Sequence, residues 1–236
     1  MPVRLRRRAL GAALALALLA GLALALVDLN ERHEASQRAS ARLALTRVAT
    51  LQDSFTVAKA DGPAAGTGGT LRRYRVEVER GVEVDAQAAA DQVQRILADR
   101  RSWTADGQDS FQLVSAEPFD FTVRIASPQL VDRICGAAGL DTKGEVNCDV
   151  ERQVMVNAKR WQTGSPQFTG SLDDYRALIV NHEVGHRIGH GHEGCPGPGQ
   201  PAPAMMQQIY GLNGCLPNAW PYSADGHYLS GPPVKP

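Results

Sequence analysis

Ser171-Leu172-Asp173-Asp174-Tyr175-Arg176-Ala177-Leu178-Ile179-Val180-Asn181-His182-Glu183-Val184-Gly185-His186-Arg187-Ile188-Gly189-His190-Gly191-His192 is the stretch on which the fold turns. Ser171 with Asp174 three residues on matches a capping box, so a helix is predicted to start there. Leu172, Tyr175, Leu178, Ile179, Val180, Val184 and Ile188 occupy more than one side of that helix. A helix apolar on several sides is buried in the middle of a domain, and this one is expected to run to about Gly189. His182 and His186 are four apart, close to one turn of about 3.6 residues, so both imidazoles project from the same face.

Two histidines at that spacing, with Glu183 beside them, can meet one metal ion, and neutral imidazole is a favoured zinc ligand. A catalytic zinc takes three protein ligands and keeps one position open. Gly189 can adopt positive φ, end the helix and turn the chain back, so that His192 returns to the same ion. His190 is the alternative third ligand if the helix continues through Gly189. In this arrangement Zn2+ supplies Lewis acidity and Glu183 is the expected general base, taking a proton from water and passing it to a leaving amine.

The upstream chain alternates strand and helix patterns. Arg73 to Glu79 places Tyr74, Val76 and Val78 against charged neighbours, a half-buried strand. Asp85 opens a helix through about Asp99, with Ala89, Val93, Ile96 and Leu97 at helical spacing. Phe111–Ser115, Phe119–Ile125 and Gln153–Asn157 are predicted strands, and Thr163–Gly170 a loop. Asp61–Thr70 is a Gly-rich loop without the Gly-Lys-Ser/Thr ending of a phosphate cradle. Six prolines between Pro196 and Pro221 make the C-terminal part irregular. The order predicts a single α+β domain over 51–236.

Ala9 to Val27 is an unbroken apolar run, about 28 Å long as a helix, preceded by Arg4, Arg6, Arg7 and Arg8. It predicts a cytoplasmic basic segment over 1–8, a transmembrane signal-anchor over 9–27 and a stalk over 28–50, with the domain outside the cytoplasm. A cleaved signal peptide, giving a secreted protein, is the alternative; Arg7-Arg8 also weakly matches a twin-arginine signal. The four cysteines all follow the apolar run, as expected of disulfides in an exported domain. Three pairings are possible; Cys135–Cys148 and Cys195–Cys215 close the shortest loops. Formal net charge is zero, and no basic stripe interleaved with aromatics is visible, so a nucleic-acid partner is not expected.

The pattern His182-Glu183-x-x-His186-x-x-Gly189-x-x-His192, with methionine following in Ala202-Pro203-Ala204-Met205-Met206, resembles the metzincin clan of zinc peptidases. Met205 lies 13 residues beyond His192, a departure in spacing, and either Met205 or Met206 can take the structural turn position; Met205 is expected to take it. Arg72-Arg73-Tyr74-Arg75-Val76-Glu77-Val78, Arg101-Ser102-Trp103-Thr104-Ala105-Asp106-Gly107, Cys195-Pro196-Gly197-Pro198-Gly199 and Gln207-Gln208 are similar to an uncharacterised family of exported zincin-like domains of high-GC bacteria. The resemblance implies a zincin/metzincin-like fold: a twisted, mostly parallel sheet, an active-site helix and an irregular C-terminal subdomain.

The expected activity is membrane-anchored, extracytoplasmic zinc endopeptidase on a peptide or protein substrate. The alternatives are a zinc amidase acting on cell-wall peptide and an inactive zinc-containing binding module. Tyr210 is expected in the core, with a role as a fifth metal ligand or oxyanion donor as its rival. Trp103, Trp161 and Trp220 are expected as core anchors, and His33 and His227 as solvated surface residues.

Overall fold

The computed structural model describes residues 26–40, 54–60 and 62–234. The chain divides into two compact units, Met1–Asp53 and Ser54–Pro236. In the first, residues 26–40 form an exposed helix, α1, laced by i,i+4 pairs Asp28–Arg32 and Glu34–Arg38. The first part of the expected stalk is thus helical.

The expected membrane-crossing segment lies outside the described residues except for Leu26 and Val27, and residues 1–8 lie wholly outside them. Among the described residues, no helix is long and apolar enough to cross a membrane. The single-pass membrane placement is corrected accordingly: α1 is charged along its length and exposed throughout. The two disulfides remain as the indication of location, because such bonds persist in extracellular, oxidising surroundings.

The second unit is a mixed α+β fold. Its strands are β1 (Phe55–Val57), β2 (Thr70–Glu79), β3 (Asp109–Leu113), β4 (Phe121–Ala126), β5 (Cys148–Val150) and β6 (Gln153–Asn157). They form one sheet in the order β1-β2-β4-β6-β5, with β3 pairing a different stretch of β2 from β1. The β2–β3, β2–β4 and β4–β6 pairs are parallel; β1 and β5 are antiparallel to their neighbours.

The helices of this unit are α2 (Ala86–Ala98), α3 (Pro128–Ala137), α4 (Ala158–Thr163) and α5 (Leu172–Arg187). Tyr74, Val76, Val78, Val123, Ile125, Val154 and Val156 share a core with residues of α2, α4 and α5. Because side chains alternate along a strand, Met155 takes the opposite face. Its cross-strand partner Cys148 shares that face and is bonded to Cys135 of α3, so α3 packs there.

Asp149 pairs in register with Val154 and therefore projects to the α5 side. That alternation decides what β5 presents to the site described below.

Sequence periodicity placed α2 closely: Asp85 caps Ala88 N and Asp99 ends the helix. It missed α3, although Ser127 caps it and Pro128 stands at its start, where a missing N–H costs nothing. It also missed β1, β5 and α4, which are three to six residues long and too short for a period to show.

Candidate metal centre

The geometry begins with α5. Ser171 Oγ accepts from Asp174 N at 3.0 Å and donates to the Asp174 carboxylate, fixing the N-terminus as the capping box predicts. Val180 and Val184 are fully buried, and Asn181 bonds Ser102 Oγ and the Ala219 carbonyl in the interior. The helix is held at depth, and one side of it opens to a cleft.

Its C-terminus is a Schellman motif. Gly189 has φ +106°, its N–H reaches the His186 carbonyl, and His190 N reaches the Gly185 carbonyl. The chain reverses there and returns His192. His186 Nε2 then lies 3.2 Å from His182 Nε2 and 3.1 Å from His192 Nε2. Three nitrogens each about 2.1 Å from one ion at tetrahedral angles would lie ~3.4 Å apart, close to these separations.

The protonation pattern favours a cation. His182 Nδ1 donates to the Ala204 carbonyl at 2.8 Å, and His186 Nδ1 to the His190 carbonyl at 2.9 Å. A carbonyl only accepts, so in each neutral ring the proton is on Nδ1 and Nε2 carries a lone pair. Lone pairs of His182 and His186 therefore converge with no proton between them, which is unfavourable until a positive ion lies there. Burial, followed by the neighbouring His186, pushes the His182 pKa down to about 3. Burial also lowers His186 and His192. His182, His186 and His192 form a group that could hold a metal ion.

His190 takes a different place. Its ring stacks on Trp103 with centroids 4.2 Å apart, and only its carbonyl serves the site, through His186. Trp103 is buried and donates from Nε1 to the Asn181 carbonyl at 2.8 Å, so it props the turn that follows α5. Met205 is fully buried beneath α5, whereas Met206 joins the small cluster around Cys215. Both disulfides, Cys135–Cys148 and Cys195–Cys215, are formed as expected.

The three imidazoles line a cleft of about 410 Å³, with Glu183 beside them and Asp149 on the β5 wall. The Glu183 carboxyl forms no hydrogen bond among the described residues. Its pKa is raised by burial and then by the Asp149 charge. Burial lifts Asp149 itself to about 6, with Arg187, 3.5 Å away, opposing. A cation on the histidines would draw Glu183 toward its ionised form.

Tyr210 is 66% exposed and lines the cleft, so the expectation of a core tyrosine is corrected: it is the last residue of a short 3₁₀ turn, Gln208–Tyr210, that projects it outward. Trp161 is buried and Trp220 half-buried; His33 and His227 are exposed.

The protein family whose model matches is described as "Protein of unknown function (DUF3152)", and the match covers residues 44–223. The chain belongs to this family. The matched span contains every residue of the cleft. No curated protein matches the chain, and no solved structure does.

Sequence reasoning passed over Asp149, Gly185 and the Ala204 and His190 carbonyls. Carbonyl partners leave no mark on residue identity. Gly185 did leave one: glycine inside a helix costs about 1 kcal/mol against alanine, which points to a close approach at that position.

Proposed function

We propose that the protein is an extracellular zinc endopeptidase, with His182, His186 and His192 as the metal ligands and Glu183 as general base. The observation carrying this reading is the convergence of three imidazole Nε2 atoms, two of them shown to bear lone pairs, beside a buried carboxyl that lines the cleft. Zinc suits this all-imidazole set, and when bound it supplies Lewis acidity that activates water and polarises a carbonyl.

The chain's own residues do the rest. The Ala204 and His190 carbonyls hold two imidazoles in the tautomer that offers Nε2. Glu183 accepts the proton of the attacking water at a carboxylate oxygen and delivers it to the leaving nitrogen. Its burial strengthens its interaction with charge developing beside it. The resemblance of the motif and of Met205 to metzincin peptidases supports peptide-bond hydrolysis over other reactions, and the largely parallel sheet packed against the ligand-bearing helix is compatible with it. The cleft runs from the histidines along α5 past Ile179 and Tyr175, which gives room for a side chain of a peptide lying across the site.

The test is a peptide-library digest by the full zinc-loaded chain, read by mass spectrometry with and without chelator, beside Glu183→Gln. Chelator-sensitive internal cleavage that Glu183→Gln loses while keeping zinc is expected. Cleavage confined to cell-wall peptides would replace the reading with an amidase. Full activity in Glu183→Gln would remove the base assignment.

A further inference from the structure

His192 is the least supported of the three histidines. His182 and His186 sit on α5 with their Nδ1 atoms bonded, whereas His192 lies past the helix between Gly191 and Glu193, and no hydrogen bond to a carbonyl holds its ring among the described residues. Glycine at 189 and 191 leaves the backbone leading to it unusually free. Something else must fix it.

The C-terminal segment grips the backbone at this point. Val234 N donates to the His192 carbonyl at 2.9 Å, and Gly194 N to the Pro232 carbonyl at 2.8 Å, with Glu193 and Pro233 bridged antiparallel between them. On its other side, Glu193 N donates to the Met205 carbonyl at 3.1 Å. Residues 192–194 thus lie as a middle rung between the Met205 loop and the C-terminal segment. The Glu193 side chain adds two bonds, accepting from Tyr228 Oη at 3.1 Å and from Gly231 N at 3.0 Å. Gly231 is sterically required: a Cβ there would overlap the Gly194 carbonyl oxygen and lie 2.9 Å from Pro203 Cγ. Tyr228 is tied in by packing on Tyr222, with centroids 5.3 Å apart. This segment lies beyond the matched residues 44–223 of the family.

We propose that residues 228–234 are a strap that positions His192 for the metal, with Glu193, Tyr228 and Gly231 as positioning residues. The proposal rests on the metal-centre reading above. Groups that orient a metal ligand without touching the ion typically contribute 10–100-fold in affinity. Here they act through the backbone of the ligand rather than through its ring.

The experiment is competition titration of zinc against a chromophoric chelator, using the full chain, Gly231→Ala and a chain ending at Leu229. Each is made in the native background and with His192→Ala. Zinc affinity should fall about 10–100-fold when the strap is altered in the native background. It should not fall further in the His192→Ala background, because the strap then has no ligand to position. Unchanged affinity, or the same loss in both backgrounds, would overturn the strap. Tyr228→Phe removes one bond to Glu193 and carries the same cycle with a smaller effect should the shortened chain not fold. Failure of the native chain to bind zinc overturns the metal-centre reading and the strap with it, whereas native binding with an indifferent strap overturns the strap alone.

Discussion

The sulfur of Met205 fills the space that a side chain at Gly185 would occupy: a Cβ built there would overlap it and lie 2.8 Å from Trp103 Cζ2. Gly185 sits between the two ligand-bearing turns of α5, so this contact seats the helix on the Met205 loop, whose Ala204 carbonyl holds His182. Alanine normally gains about 1 kcal/mol over glycine in a helix interior. Here the overlap should reverse the sign, with Gly185→Ala destabilising the protein by about 1–3 kcal/mol. Urea unfolding measures it, and a more stable variant would contradict the packing.

The two candidate third ligands are separable by substitution. The His190 ring is engaged with Trp103, so His190→Ala should keep bound zinc, since the replacement still offers its backbone carbonyl to His186. His192→Ala should lose most of its affinity, because three protein ligands become two. Metal content after dialysis distinguishes them; the reverse pattern would exchange the roles.

Much of this site is legible in the sequence. Spacing alone brought His182 and His186 to one face, and Gly189 marked where the chain reverses. Ser171 and Asp174 marked where the helix begins. Tyr210 misled because aromatic identity does not reveal which way a short 3₁₀ turn points. The run from Ala9 to Val27 suggested a membrane span on length and hydropathy alone, and the described residues contain no such helix. Asp149 was not legible because its orientation depends on the pairing of β5 with β6, a register that short strands do not announce. The strap was hidden for the same reason: its bonds to residues 192–194 are mostly between backbones.

Acidity should affect zinc binding late. Burial keeps the three ligand histidines neutral below their ordinary range, His182 down to about 3. Protons therefore compete poorly with metal near neutrality, and affinity should stay nearly level between about pH 8 and 6.5 before falling in more acidic solution. The same burial has a stability consequence in the metal-free chain. A histidine with depressed folded pKa contributes full stability above its unfolded value of about 6.5 and loses it as pH falls toward the folded value. Asp149, raised to about 6, works in the opposite direction: its contribution is present below the unfolded value near 3.9 and is lost as pH rises through 6. Asp149→Asn should therefore steepen the acid loss of stability between about pH 4 and 6. Thermal midpoints across that range check the sign.

The Cys135–Cys148 bond ties α3 to the strand that carries Asp149, closing a loop of sequence separation 13. Replacing both cysteines by serine should cost about 3 kcal/mol through the entropy of the unfolded chain. It should also loosen the β5 wall of the cleft, so that substrate affinity suffers more than zinc affinity. Denaturant midpoints and paired zinc titrations separate the two effects; equal losses in both would show that the wall and the metal site are not independent.

The most direct measurement is zinc K-edge absorption on the full chain. Three histidine nitrogens at about 2.0–2.1 Å with one further light-atom neighbour and no sulfur are predicted. Sulfur at about 2.3 Å, or a chain that retains no zinc, would contradict the assignment of His182, His186 and His192 as its ligands.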